Sequence, residues 1–143
     1  MLSLWRELEE VQGPLRYFPS SRDAEERIMA SFRSALDAQD ADVLLAEDDG
    51  EAFGMALVHL ENPSRMSAER AVELSRVVVS PSKRRTGAGK ALVDAAEEWA
   101  RQRGIRTLLA AIFVANEESR RFWAAMGFET WVERMIRPVE PRS

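Results

Sequence analysis

The feature that most constrains this chain lies between residues 71 and 114. Two apolar runs, AVELSRVVV (71–79) and IRTLLAAIFV (105–114), flank a segment whose Leu92, Val93, Ala96, Trp99 and Ala100 share one helical face. The first run ends in three valines, which suit a pleated strand. The second is almost continuously apolar, the pattern of a strand buried on both faces. Strand, helix and strand in this order form a crossover unit, which requires parallel strands joined right-handedly. The expected fold class is therefore α/β, with a mixed sheet built on a parallel βαβ core and flanked by helices.

The rest of the chain adds to this unit. Leu4, Trp5, Leu8 and Val11 recur at helical spacing and predict a first helix ending near Gly13-Pro14. GPLRYFPSS is rich in turn residues and holds the only tyrosine, Tyr17. Ser21 or Asp23 caps a second helix, whose Ala24, Ile28, Phe32 and Leu36 make an apolar face. VLLAE and AFGMALVHLE read as a hairpin about Asp49-Gly50. Gly104 is a natural C-terminal stop for the central helix. Asn116 opens a short helix closed by Gly127, and FETWVERMIRPV reads as a last strand stopped by Pro138. No repeat or linker divides the chain, so one domain over 1–143 is expected.

Composition excludes several function classes. A net charge of −4 argues against a nucleic-acid partner, which needs a basic surface. No apolar run reaches the roughly 18 residues of a membrane span, and the opening MLSLWRELEE carries charge where a signal peptide would be apolar. A cytoplasmic location follows as the expectation. Cysteine is absent and His59 is the only histidine, so no metal is expected.

Against that acidic balance the turn SPSKRRTGAGK stands out. It joins a strand to a helix, whose first N–H groups lack partners and carry the positive end of the helix dipole. Gly87 and Gly89 remove the Cβ atoms that would hold a ligand off those amides, and Arg84, Arg85 and Lys90 add charge. The product is an anion cradle suited to phosphate or pyrophosphate. The alternative is a loop with a charged, solvated tip. A Walker A loop would need glycine at Arg84 and Ser or Thr at Ala91, and a dinucleotide fingerprint would need glycine at Leu92. Both nucleotide readings fail.

Val79-x-Pro81-x-x-Arg84-x-x-Gly87-x-Gly89, opening a helix, resembles the acyl-CoA signature of the GNAT superfamily of N-acetyltransferases. Downstream, Asn116-x-x-Ser119-x-x-Phe122-Trp123 and then Met126-Gly127-Phe128 are similar to a second block of that family. The resemblance implies a GNAT-like fold and acetyl-CoA as co-substrate. It implies that the backbone of Arg84, Arg85, Thr86, Gly87, Ala88, Gly89 and Lys90 grips the CoA diphosphate, with Arg85 and Lys90 as side-chain helpers. The pantetheine would lie along Val77, Val78 and Val79, with an N–H near Val78 polarising the thioester carbonyl. Asn116, Ser119, Phe122 and Trp123 would border it, although Asn116 has a local alternative as a helix cap.

The reaction implied is direct transfer of acetyl to a primary amine on a small molecule or a protein. Glu73, six residues before Val79, matches the position of a glutamate base in some relatives, and strict alternation puts it on the face of Val77 and Val79. Glu61 and His59 are rival bases. The family's usual general-acid tyrosine falls at Trp123, whose indole is no acid near neutral pH, and Tyr17 substitutes only if the fold brings it over. That departure sustains a competing reading, a non-catalytic acyl-CoA sensor or scaffold of the same fold. Relatives usually have a strand before the first helix, with no counterpart here. Either upstream residues are missing or the sheet has lost its first edge strand; in the second case the VLLAE strand is expected at an open edge, which a homodimer would cover. A strict monomer in sedimentation at high concentration would remove that last expectation.

Overall fold

The computed structural model of the chain describes residues 1–15 and 20–142. Its elements run α1 (Leu2–Gln12), α2 (Ala24–Asp37), β1 (Ala41–Asp48), β2 (Glu51–Glu61), β3 (Ala71–Val79), α3 (Ala88–Arg101), β4 (Leu108–Ala110) and α4 (Glu117–Ala125). The sheet order is β1-β2-β3-β4; β1–β2 and β2–β3 are antiparallel, and β3–β4 is parallel. The crossover unit and the mixed sheet are as the sequence predicts, and β1 stands at an edge.

Helices cover both faces. Leu4, Trp5, Leu8, Ile28 and Phe32 of α1 and α2 pack on Met55 and Val78 of the sheet. On the other face Val93, Ala96, Trp99 and Ala100 of α3, with Trp123 of α4, pack on Val58, Val72 and Leu74. Val11 and Leu36, read as parts of apolar faces, are exposed instead. The buried stripe of α2 runs Ile28, Phe32, Ala35, and Leu36 lies one helical step off it.

Local chemistry explains the turns. Asp49 (φ +50°) and Gly50 (φ +78°) both take left-handed backbone, as a two-residue hairpin demands. Past α3, Ile105 N–H donates to the Ala100 carbonyl and Gly104 N–H to that of Arg101; past α4, Phe128 donates to Trp123 and Gly127 to Ala124. Each is a Schellman closure with glycine at positive φ.

One irregularity in β3 changes how the sheet is read. Met55 pairs with Val78 and Leu57 with Ser75, so Arg76 and Val77 together oppose Ala56. This is a β-bulge, and Arg76 takes φ +53° within it. Before the bulge, Glu73 and Ser75 lie opposite His59 and Leu57 and share their face, that of Met55. After it, Val78 takes that face, while Val77 packs with Val72 and Leu74 against α3. Glu73 therefore shares a face with Val78, and the expected grouping with Val77 and Val79 is wrong because alternation breaks at the bulge.

Two strand expectations also need correction. The run 105–114 forms a strand only at Leu108–Ala110, pairing from Val72↔Leu108 to Leu74↔Ala110. The bulge bends β3 just beyond Leu74, so the two strands part, and Ile112 and Val114 are exposed. The segment 128–139 is no strand: it has no regular secondary structure, and Trp131, Val132, Met135, Ile136 and Val139 are exposed. Its apolar residues come in pairs four apart, so neither face of an extended strand would be apolar.

Candidate active site

The basic turn lies where β3 runs into α3. Arg85 (φ +64°) and Gly87 (φ +87°) both take left-handed backbone, and Gly87 is the N-cap residue of α3 with no side-chain cap. The free amides of the first helical turn are therefore open to a ligand, and nothing lies within 4 Å of a Cβ built on Gly87. Within 84–90, Arg84 N–H already donates to the Pro81 carbonyl at 3.4 Å, so the open main-chain amides of this turn begin at Arg85.

The basic side chains are mostly committed elsewhere. Arg84 Nε donates to the Val79 carbonyl at 3.2 Å, pinning the turn to the end of β3. Lys83 pairs with Asp48 at 3.2 Å. Lys90 pairs with Asp94 at 2.7 Å, one turn down the helix, and that hydrogen bond and charge hold its pKa above the usual lysine value. Thr86 Oγ1 donates to the Lys83 carbonyl. Arg85 is exposed and makes no hydrogen bond or ion pair among the described residues, so of the two expected helpers it is the one at liberty to meet an anion.

Gly89 has a different task from Gly87. A Cβ on it would come within 2.9 Å of the Phe122 ring. The small residue thus lets α4 lie against the start of α3, and Ala88 beside it is buried. Trp123 is 7% exposed and stacks edge-on with Phe122 and Phe128, so its indole belongs to the core. Ser119 is half-buried on the same short helix.

Asn116 caps α4, its Oδ1 accepting from Ser119 N–H at 3.1 Å. The local reading of this residue holds, and its amide nitrogen is left over for a ligand. Asn116→Ala should cost about 1 kcal/mol of stability through loss of the cap, measured as a lower urea midpoint with unchanged slope. Asn116→Ser should restore it, because serine caps as well.

Main-chain direction along β3 follows from one bond. Ser80 N–H donates to the Phe53 carbonyl at 2.7 Å, toward β2. Counting back along the extended chain, Val78 N–H also turns to β2, while Val77 and Val79 present theirs to the side from which β4 has parted. An N–H near Val78 that faces that side therefore belongs to Val77 or Val79 and not to Val78 itself. No sequence signal marks this, because an arginine inside a β-branched run does not announce a bulge.

On the α1–α2 side of the bulge lies a cavity of about 260 Å³ lined by Trp5, Ser20, Ser21, Ala24, Arg27, Ile28, Ser31 and Arg76. Of the turn-rich GPLRYFPSS, Ser20 and Ser21 border this cavity, while Arg16, Tyr17 and Phe18 lie outside the described residues. Arg27, Ser31 and Arg76 were not anticipated. Farther along the same sheet face, His59 Nε2 sits 3.3 Å from Glu61 Oε2 and 3.7 Å from Glu73 Oε2. The candidate base and both rivals thus form one cluster.

The chain matches the model of the acetyltransferase (GNAT) family over residues 4–128. It is 38% identical over 102 residues to an aminoglycoside N(6')-acetyltransferase type 1 of Klebsiella aerogenes, covering 70% of this chain and 67% of that protein. It is 31% identical over 124 residues to the enzyme of the same name from Stenotrophomonas maltophilia, covering 83% and 80%. Among solved structures it resembles AAC(6')-Iy bound to the bisubstrate analogue CoA-S-monomethyl-acetylneamine, at TM-score 0.73 and 25% identity, over 98% of this chain and 91% of that one. No helix among the described residues is long and apolar enough to cross a membrane. With the cradle, the parted strands and these matches together, the chain belongs to the GNAT family of N-acetyltransferases.

Proposed function

We propose that this chain transfers acetyl directly from acetyl-CoA to a primary amine of an aminoglycoside-like amino sugar, both substrates being bound together. The observation that carries the reading is the parting of β3 from β4 after Leu74, with an anion cradle at the end of the freed edge. An edge whose N–H and C=O groups face a gap suits the amides of a pantetheine arm, and the cradle suits a diphosphate. The acceptor class rests on the two curated relatives and on the bisubstrate complex.

In this scheme the amides of Arg85 to Lys90 bind the diphosphate, Arg84 N–H being taken by the Pro81 carbonyl, and the Arg85 side chain adds charge. Val77 and Val79 pair with pantetheine, and Val77 N–H donates to the thioester oxygen, stabilising the negative charge that grows as the amine attacks. Glu73 accepts the amine proton. Four residues of strand, at about 3.3 Å each, separate it from Val77, so the proton passes through water. The C–S bond breaks and the thiolate takes a proton from solvent, since Trp123 offers none. The cavity beside Trp5 and Arg76 receives part of the acceptor.

Thiol release from acetyl-CoA tests this across a panel of primary amines: neamine-type amino sugars, polyamines, amino acids and lysine peptides. Turnover should be largest, by at least tenfold in kcat/KM, for the amino sugars. Absence of thiol release with every amine of the panel, alongside tight acetyl-CoA binding, would favour the non-catalytic sensor.

A further inference from the structure

The geometry points to a three-ligand site for a divalent transition ion, built from His59, Glu61 and Glu73. Two β-sheet relations assemble it. His59 and Glu73 are direct antiparallel partners, so their side chains rise from one face. Glu61 follows His59 by two residues and returns to that face. One ring nitrogen and two carboxylate oxygens then lie within 4.8 Å of one another.

Hydrogen bonding alone satisfies this arrangement poorly. His59 Nε2 carries at most one proton, yet it confronts two carboxylate oxygens, at 3.3 Å and 3.7 Å, and the second is beyond hydrogen-bond reach. Those two spacings are close to the edges of a metal tetrahedron, about 3.3–3.6 Å for bonds of 2.0–2.2 Å. The third edge, between the Glu61 and Glu73 oxygens, is no longer than 4.8 Å. A neutral imidazole with two carboxylates carries the charge that a divalent ion cancels. The mixed N and O donors suit zinc, cobalt or nickel and disfavour magnesium and calcium, which take oxygen ligands. His59, Glu61 and Glu73 are 33%, 41% and 28% exposed, so a fourth position is open to water. The sequence expectation of no metal rested on the scarcity of histidine and did not count cross-strand carboxylates.

Occupancy has a consequence for catalysis that rests on Glu73 being the base. A carboxylate bound to zinc no longer accepts the amine proton, so zinc inhibits transfer without touching the CoA cradle.

The test is uptake of zinc by chelator-stripped protein, read by competition with a chromophoric chelator, with cobalt as a spectroscopic stand-in. Wild type should take up one equivalent and give the strong visible absorption of low-coordinate cobalt. His59→Ala should bind at least about 100-fold more weakly and Glu61→Gln at least about tenfold, since even outer-shell losses cost 10–100-fold. Acetyl-CoA affinity should be the same with and without zinc. Uptake by wild type no greater than by the His59→Ala/Glu61→Gln double variant would overturn the site. Zinc bound here with undiminished thiol release would support the site and reject Glu73 as the base.

Discussion

Gly87→Glu should lower acetyl-CoA affinity by at least about 100-fold, the loss of two charge-assisted hydrogen bonds at about 1.5–3 kcal/mol each. The substitution places a carboxylate over the open amides at the start of α3, where the diphosphate would sit. Nothing within 4 Å blocks the new side chain, so it does not have to unfold the turn to enter. It does carry a backbone cost, because Gly87 has φ +87° and a side chain there costs about 1–2 kcal/mol. Gly87→Ala carries the same strain without the charge and is the control. Titration calorimetry should therefore show the alanine variant weakened less than tenfold and the glutamate variant far more. If the two variants bind acetyl-CoA within about threefold of each other, the loss is strain alone and the diphosphate lies elsewhere.

The sequence signals that succeeded were local ones. The turn between β3 and α3 was legible because positive φ, a helix start and clustered charge each leave a mark in residue type. The same is true of Asp49-Gly50, Gly104 and Gly127. What escaped depends on pairing between distant segments. Arg76 looks like any residue of a strand, and only the register against β2 reveals the extra residue that turns Val78 toward α1 and α2. That one insertion also moves the inward N–H from Val78 to Val77 and ends the parallel pairing at Leu74. The run 105–114 was apolar enough for a long strand, yet a strand extends only as far as its partner stays beside it. Gly89 carries a packing constraint that its motif does not reveal, since the ring it accommodates comes from a helix more than 25 residues later. The basic turn remained legible despite these errors because it is built from consecutive residues. The assignment of faces, on which the choice of base depends, did not.

Glu73→Gln should reduce kcat by about 100-fold, the lower end of what a positioned base contributes, and leave the KM for acetyl-CoA within about twofold. The split is expected because Glu73 lies on the opposite sheet face from α3 and well back along β3 from the cradle. Glutamine keeps the size of the side chain, and the residue is partly exposed, so the fold should tolerate the change. The pH dependence separates a base from a residue that merely holds the acceptor. An ordinary primary amine with a pKa near 10.4 is neutral to only about one part in 2,500 at pH 7, and each unit of pH above that raises the neutral fraction roughly tenfold. A variant lacking the base draws on that fraction, so its deficit should shrink as pH rises from 7 to 9. A deficit that stays constant across that range would mean that Glu73 binds the ammonium without removing its proton. Wild-type turnover at pH 7 would move the base off Glu73 altogether. Glu61→Gln measured in parallel would then show whether its neighbour on β2 serves instead.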